Sequence, residues 1–268
     1  MNFFGTIYQT VLDALFPLTN EEREILTMTP EMAFEKLPQA PEYSEPLPGM
    51  NSIFAYKDER VAKLVWNIKY KKSKVAVKIG GYALWRRLVE IDGQTQDGNL
   101  KLEFESGVVG VDPESSALQS GKILLIPLPI TDRRRKERGY NQTELLVDEI
   151  ARLDTEKRFM ISKDLLVRTK HVARQTLKGR EERLEGSKGI FAVNKKTTEQ
   201  LNHRICEQLK NGAIEQFGKD MSSNTGEFKC ISVVIIDDVI TTGSTMKEAC
   251  AALRAAGFTH VTGLSVAH

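Results

Sequence analysis

Apolar residues follow two rhythms along this chain. In the first they run unbroken: Ile123-Leu-Leu-Ile126 and Val233-Val-Ile-Ile236 show no polar alternation, as in strands of a parallel sheet covered on both faces. Pro127 and Pro129 mark where the first of these strands stops. Shorter strand patterns occupy Ser52–Lys57, Asp164–Arg168, Ile190–Val193 and His260–Ala267. In the second rhythm, apolar positions recur every three or four residues and mark helices. Val61, Leu64, Val65 and Ile68 follow Asp58, a suitable N-cap, and Val75, Ile79, Tyr82 and Leu88 define a second helix. Leu145, Leu146 and Ile150 follow Asn141, with Glu144 in capping-box spacing. Thr197–Lys219 reads as a charged helix and Met246–Ala256 as an amphipathic one. Strands alternating with helices in this order predict an α/β fold, a mostly parallel twisted sheet with helices on both faces.

The amino-terminal part breaks this alternation. Phe4, Ile7, Val11, Leu12 and Leu15 fall near one face of an amphipathic helix whose polar face carries no cation, so packing on the main domain is expected rather than a membrane-surface role. Pro17, Pro30, Pro38, Pro41, Pro46 and Pro48 then allow at most a short helix, near Thr29–Leu37. The expected organisation is an N-terminal helix and Pro-rich connector over residues 1–50, then one α/β domain over 51–268. Two longer connections, residues 92–120 and 195–229, look like insertions.

Composition narrows this picture little. At 268 residues, 41% hydrophobic and 28% charged, the chain has the make-up of an ordinary globular protein, and a net charge of +2 does not by itself announce a nucleic-acid binder. Cys206, Cys230 and Cys250 stand singly, without the spacing of a zinc site or disulfide framework, which fits a reducing cytoplasm. No stretch has the length and apolarity of a membrane span, and no basic segment of a signal peptide precedes Arg23. The sequence leaves the oligomeric state open.

Candidate chemistry concentrates after the strand Val233–Ile236. Asp237 and Asp238 fall at its carboxyl end, where open α/β sheets bind ligands. Thr241, Thr242, Gly243, Ser244 and Thr245 follow, offering hydroxyls and backbone N–H groups at the positive end of a helix, where a phosphate group fits. The carboxylates repel that phosphate, so they face another part of the ligand: vicinal hydroxyls, or a hydrated magnesium ion. The plainer alternative is a βα turn whose Asp, Ser and Thr residues merely cap a helix.

Strand, acid pair, hydroxyl-rich loop and helix together closely resemble the phosphoribosyl pyrophosphate (PRPP) motif of type I phosphoribosyltransferases. Other segments are similar to the ComF (competence protein F-like) family of that superfamily. They are Ile126-Pro-Leu-Pro-Ile-Thr-Asp-Arg-Arg-Arg-Lys-Glu-Arg-Gly-Tyr-Asn-Gln142, Arg168-Thr-Lys-His-Val-Ala-Arg-Gln-Thr176, Arg180-Glu-Glu-Arg183 and Ser265-Val-Ala267. Phe54-Ala-Tyr-Lys57 and Leu64-Val-Trp-Asn-Ile-Lys-Tyr-Lys71 add to the likeness, which covers roughly residues 52–268. Family members often begin with a four-cysteine zinc module, and residues 1–50 contain no cysteine.

The resemblance implies a type I phosphoribosyltransferase fold and a site with three parts. Asp237 and Asp238 would contact the ribose hydroxyls, and through them or water a Mg2+ ion. Thr241–Thr245 would hold the 5′-phosphate. Leu128 and Pro129 would lie in the pyrophosphate loop, with Arg138 reaching in from its continuation. Residues 169–189 match the family's closing loop, where Lys170, Arg174 and Arg183 would stabilise departing pyrophosphate; His171 reads as a phosphate contact or an exposed residue. The implied activity is magnesium-dependent phosphoribosyl transfer to an unidentified acceptor. The alternative is a non-catalytic accessory of DNA uptake or processing that binds single-stranded DNA through the basic loops. The basic turn Lys69–Lys74 reads as a solvated helix end, favoured by the helix dipole.

Overall fold

Among the described residues, five parallel strands form the main sheet, in the order β1-β7-β6-β2-β3. They are β1 (Met50–Phe54), β2 (Lys122–Pro127), β3 (Phe159–Ile161), β6 (Ile231–Val239) and β7 (His260–Ala267). The computed structural model describes residues 18–41, 50–96, 122–169, 189–211 and 231–268. The expected helix over residues 4–15, most of the 92–120 connection, residues 170–188 and the segment after Asn211 up to residue 230 lie outside the described residues.

The unbroken apolar runs are the two central strands. Leu124 of β2 pairs in register with Val233 of β6, and Ile236 of β6 with Leu264 of β7. Alternate residues feed opposite faces. Ile123, Leu125, Val234, Ile236, Leu264 and Val266 enter one core, and Leu124, Ile126, Val233, Ile235 and Val261 enter the other. Burial on both sides is what permits strands without polar alternation.

The first core is covered by α3 (Glu59–Trp66), α4 (Lys74–Gln96) and α6 (Gln142–Leu153), with α1 (Asn20–Thr27) and α2 (Pro30–Lys36) packed outside them. Leu64, Ile68, Ile79, Leu84 and Leu146 are fully buried here, each contributing about 1.5–3 kcal/mol of hydrophobic stabilisation. Between α4 and α6, a Cβ on Gly81 would stand 2.6 Å from Glu149 Cβ, so the two helices approach as closely as they do because no side chain intervenes. The second core is covered by α8 (Ser244–Ala255), through Met246, Ala249, Cys250 and Leu253, and by Leu201 of α7 (Lys195–Asn211). The mostly parallel sheet with helices on both faces is therefore as expected.

Asp58 caps α3, its Oδ1 accepting from the Arg60 and Val61 N–H groups. Asn141 caps α6 through the Thr143 N–H, with Leu146 and Ile150 buried as expected; Leu145 is only partly buried and Val147 completes the inner face. Residues 92–96 continue α4, and residues 195–211 form α7.

Three local readings differ from expectation. The described residues of the connector hold two short helices: Thr29 caps the expected one, and Thr19 caps α1 by accepting from the Glu22 N–H at 3.3 Å. Two helical turns fit between Pro17 and Pro30, and Ile25 is fully buried in the first core. Phe159–Ile161 is a strand of the main sheet, paired in parallel with Ile123–Leu125; three apolar residues flanked by Arg158 and Ser162 are too few to show a periodicity. The Asp164–Arg168 segment provides β4 (Leu166–Arg168), which pairs antiparallel with β5 (Phe191–Val193) in a separate two-stranded unit. A run of only three residues carries no mark of the sheet it joins.

Candidate functional site

The carboxyl end of β6 runs directly into the first turn of α8 through Ile240–Gly243. Gly243 occupies the N-cap position with φ 68°, a left-handed conformation that glycine adopts without steric cost. It has no side chain to cap the helix, so the first-turn N–H groups keep their outward donor capacity. Thr241, Thr242 and Ser244 are exposed beside them and Thr245 is half-buried. The Thr242 and Ser244 hydroxyls lie 3.1 Å apart. Hydroxyls and N–H donors thus converge on the positive end of a twelve-residue helix, the arrangement that binds a phosphate dianion.

Asp237 and Asp238 are adjacent in sequence yet face opposite sides of the sheet, as successive strand residues do. Asp238 is 2% exposed on the side of the first core. Its Oδ1 pairs with Lys69 Nζ at 3.3 Å, and its Oδ2 is buried without a hydrogen-bond partner among the described residues. Asp237 is half-buried and accepts from the Asp238 N–H at 2.8 Å. Burial and the neighbouring Asp238 charge push the Asp237 carboxyl well above the ordinary carboxylate range, against the opposing charge of Lys69.

Lys69 corrects the expectation that residues 69–74 are a solvated helix end. After α3 the chain widens into a π-helical turn, Asn67–Lys71, and closes with Lys72 in the left-handed region (φ 49°, ψ 36°). That turn aims Lys69 at the acid pair rather than at solvent. Such widened turns frequently occur at functional sites. Nothing local in the sequence distinguishes Lys69 from its basic neighbours; its partner lies on a distant strand.

Leu128, packed in the second core, is 5% exposed, with its carbonyl accepting from Asn141 Nδ2 and Thr143 Oγ1, so it anchors the loop after β2 to the start of α6. Pro129 is half-buried at the mouth of that loop. The loop continues into α5 (Asp132–Arg138), whose arginines are mostly exposed. Arg138 is half-buried, bonds Gln142 Oε1 at 3.2 Å and stacks over the Tyr70 ring at 4.8 Å. Tyr140 donates to the Ile68 carbonyl and accepts from the Lys72 N–H, both at 3.1 Å. Burial raises the Tyr140 pKa and the Asp238 charge adds to the rise, while the Lys72 N–H and Arg138 oppose it. The structure therefore brings Asp238, Lys69, Tyr70, Arg138 and Tyr140 into one wall.

Arg168 forms the other wall. It ends β4, stacks over the Phe191 ring at 5.2 Å and lies within the electrostatic reach of Asp237 and Glu248. Burial and the charge of Arg134 lower its pKa, while Glu248 and Asp237 work against them. Lys170, Arg174, His171 and Arg183 lie outside the described residues; the chain carrying them leaves at Thr169, whose N–H bonds the Ile190 carbonyl at 2.9 Å. An open groove of about 350 Å³ near Ile161, Leu201 and Arg204 shares no residue with either wall. No cluster of three or more His, Cys, Asp or Glu residues suited to a metal occurs among the described residues.

The site is thus an acid pair at the tip of a central parallel strand, followed directly by a hydroxyl-rich loop and an uncapped helix. Residues 166–265 match the family model described as phosphoribosyl transferase domain. Competence protein F of Haemophilus influenzae is 32% identical to this chain over 134 residues, which is 50% of this chain and 44% of that protein. Over these stretches the chain is similar to the phosphoribosyl transferase domain family and to a competence protein F. It spans less than half the length of this curated relative in the match, and no helix among its described residues is long and apolar enough to cross a membrane.

Proposed function

We propose that the protein binds PRPP with magnesium at the tip of β6 and transfers its phosphoribosyl group to an acceptor, releasing pyrophosphate. The observation that carries this reading is the direct passage from Asp237-Asp238 into the uncapped N-terminus of α8. The α8 N–H groups with Thr241, Thr242, Ser244 and Thr245 take the 5′-phosphate. Asp237 and Asp238 accept from the ribose hydroxyls, and the buried Oδ2 of Asp238 gains the donor it lacks. Magnesium would reach this site already bound to the diphosphate and to water, which suits two carboxylates without an all-protein cage; the ion would neutralise the leaving group. As the bond from the anomeric carbon to pyrophosphate breaks and the bond to the acceptor forms, Arg138, Lys170, Arg174 and Arg183 stabilise the charge gathering on the pyrophosphate oxygens. Millimolar PRPP with magnesium is expected to raise the melting temperature. Asp237→Asn combined with Asp238→Asn is expected to abolish that rise, and a wild-type protein indifferent to PRPP would contradict the proposal.

A second reading, binding of single-stranded DNA, is favoured by one surface. Trp66 and Tyr70 are 42% and 57% exposed, their ring centroids 5.8 Å apart, with Lys71 over Trp66 and Arg138 over Tyr70. Aromatic faces interleaved with cations stack bases at roughly 1–3 kcal/mol per base without sequence preference. The relative that carries the name competence protein accords with this use. Filter binding of a DNA oligonucleotide should weaken steeply between low and high salt and fall in a Trp66→Ala, Tyr70→Ala variant, while the paired Asp→Asn substitutions leave it unchanged.

A further inference from the structure

Glu22 belongs to α1, outside the residues 166–265 that match the family model, and only 4% of it is exposed. Its Oε1 accepts from Asn67 Nδ2 and from Lys71 Nζ, each at 2.9 Å. Asn67, fully buried, also donates to the Lys63 carbonyl at 2.9 Å. Asn67 and Lys71 are the first and last residues of the π-helical turn. One buried carboxylate therefore clamps both ends of the turn whose middle residue, Lys69, meets Asp238.

Packing alone does not call for a charge here. Helix α1 already buries Ile25 in the first core, and a buried carboxylate costs several kcal/mol in lost hydration before its partners compensate. What Glu22 adds over an apolar residue is geometry. The turn it holds closes through a left-handed Lys72, a conformation disfavoured by roughly 1–2 kcal/mol in a residue with a Cβ, so the turn needs an outside constraint to keep its shape. That shape decides whether Lys69 reaches Asp238 Oδ1 and leaves Oδ2 for a ligand.

We propose that Glu22 is a positioning residue for the donor site, acting through Asn67 and Lys71 to set the turn that holds Lys69 against Asp238. The assignment of a donor to this site rests on the function proposed above; the clamp itself does not. Site-resolved acetylation of the intact protein with acetic anhydride, followed by peptide mass spectrometry, reads the position of Lys69 directly, with exposed Lys247 as internal reference. In Glu22→Gln, Lys69 is expected to react about threefold faster or more, the rate equivalent of the lower end of the net contribution of one ordinary hydrogen bond. Lys71→Met should act in the same direction, and Asp238→Asn should release Lys69 so that adding Glu22→Gln changes its rate no further. By calorimetric titration, Glu22→Gln should weaken PRPP–magnesium binding about threefold, but not in a Lys69→Met background. Unchanged Lys69 rates in folded Glu22→Gln and Lys71→Met proteins would overturn the proposal, even if both melted earlier. If wild-type protein binds no PRPP, the donor reading falls, while the Lys69 rates still decide whether Glu22 sets the turn.

Discussion

Glu22 and Asp237 show how partners decide the charge of a carboxyl group. For Glu22, burial pushes the pKa up, but the hydrogen bonds from Lys71 and Asn67 and the nearby lysines outweigh it and leave the pKa below the ordinary value of 4.5. A group with a depressed folded pKa contributes stability that is fully present above its unfolded value and is lost as pH falls through the folded one. The gap in melting temperature between wild type and Glu22→Gln should therefore be constant at neutral pH and narrow as pH drops below 4.5; a gap that widened in acid would contradict this. Asp237 is the reverse case, with burial and Asp238 raising its pKa. Its proximity to Asp238 was plain in the sequence. That the two side chains part to opposite faces, one to Lys69 and the other towards Arg168, follows from strand geometry once β6 is known to run on to Val239. Neither Lys69 nor Arg168 could be assigned from its neighbours in sequence, because each acquires its role from an element far along the chain.

Among the elements, those with long periodic signals were legible and those with short ones were not. The apolar runs of β2 and β6, the caps at Asp58 and Asn141, and the helix after Gly243 stand where hydrophobic spacing and turn chemistry put them. Strand β3 and the β4–β5 pair have three residues each, too few for any period to show. Helix α1 was hidden among prolines, although Thr19 and Glu22 carry the spacing of a capped start. The pairing of α4 with α6 was also invisible, since it depends on what faces Gly81. Gly81→Ala would gain up to about 1 kcal/mol of helix propensity but must move Glu149, whose Cβ would lie 2.6 Å away, at a cost of about 1–3 kcal/mol. The expected net loss is about 0–2 kcal/mol, with a fall of about 2–4 °C in melting temperature for each kcal/mol in a chain of this size and the PRPP-induced rise retained. Thermal melts with and without ligand measure both.

At the scale of the molecule, the parallel sheet divides two cores. One is built from α1–α4 and α6, the other from α7, α8 and the β4–β5 unit. The dipeptide Asp237-Asp238 is where the two compartments come within one residue of each other: Asp238 answers to the turn after α3, and Asp237 to the stem of the β4–β5 hairpin. A ligand that engaged both carboxylates would consequently add a cross-link between the two layers to those made by the sheet and by the anchoring of Leu128 to α6. Occupancy of a single small site would then be felt as a stiffening of the whole body, and a substitution on either face would reach the chemistry through its own carboxylate, leaving the other as an undisturbed reporter.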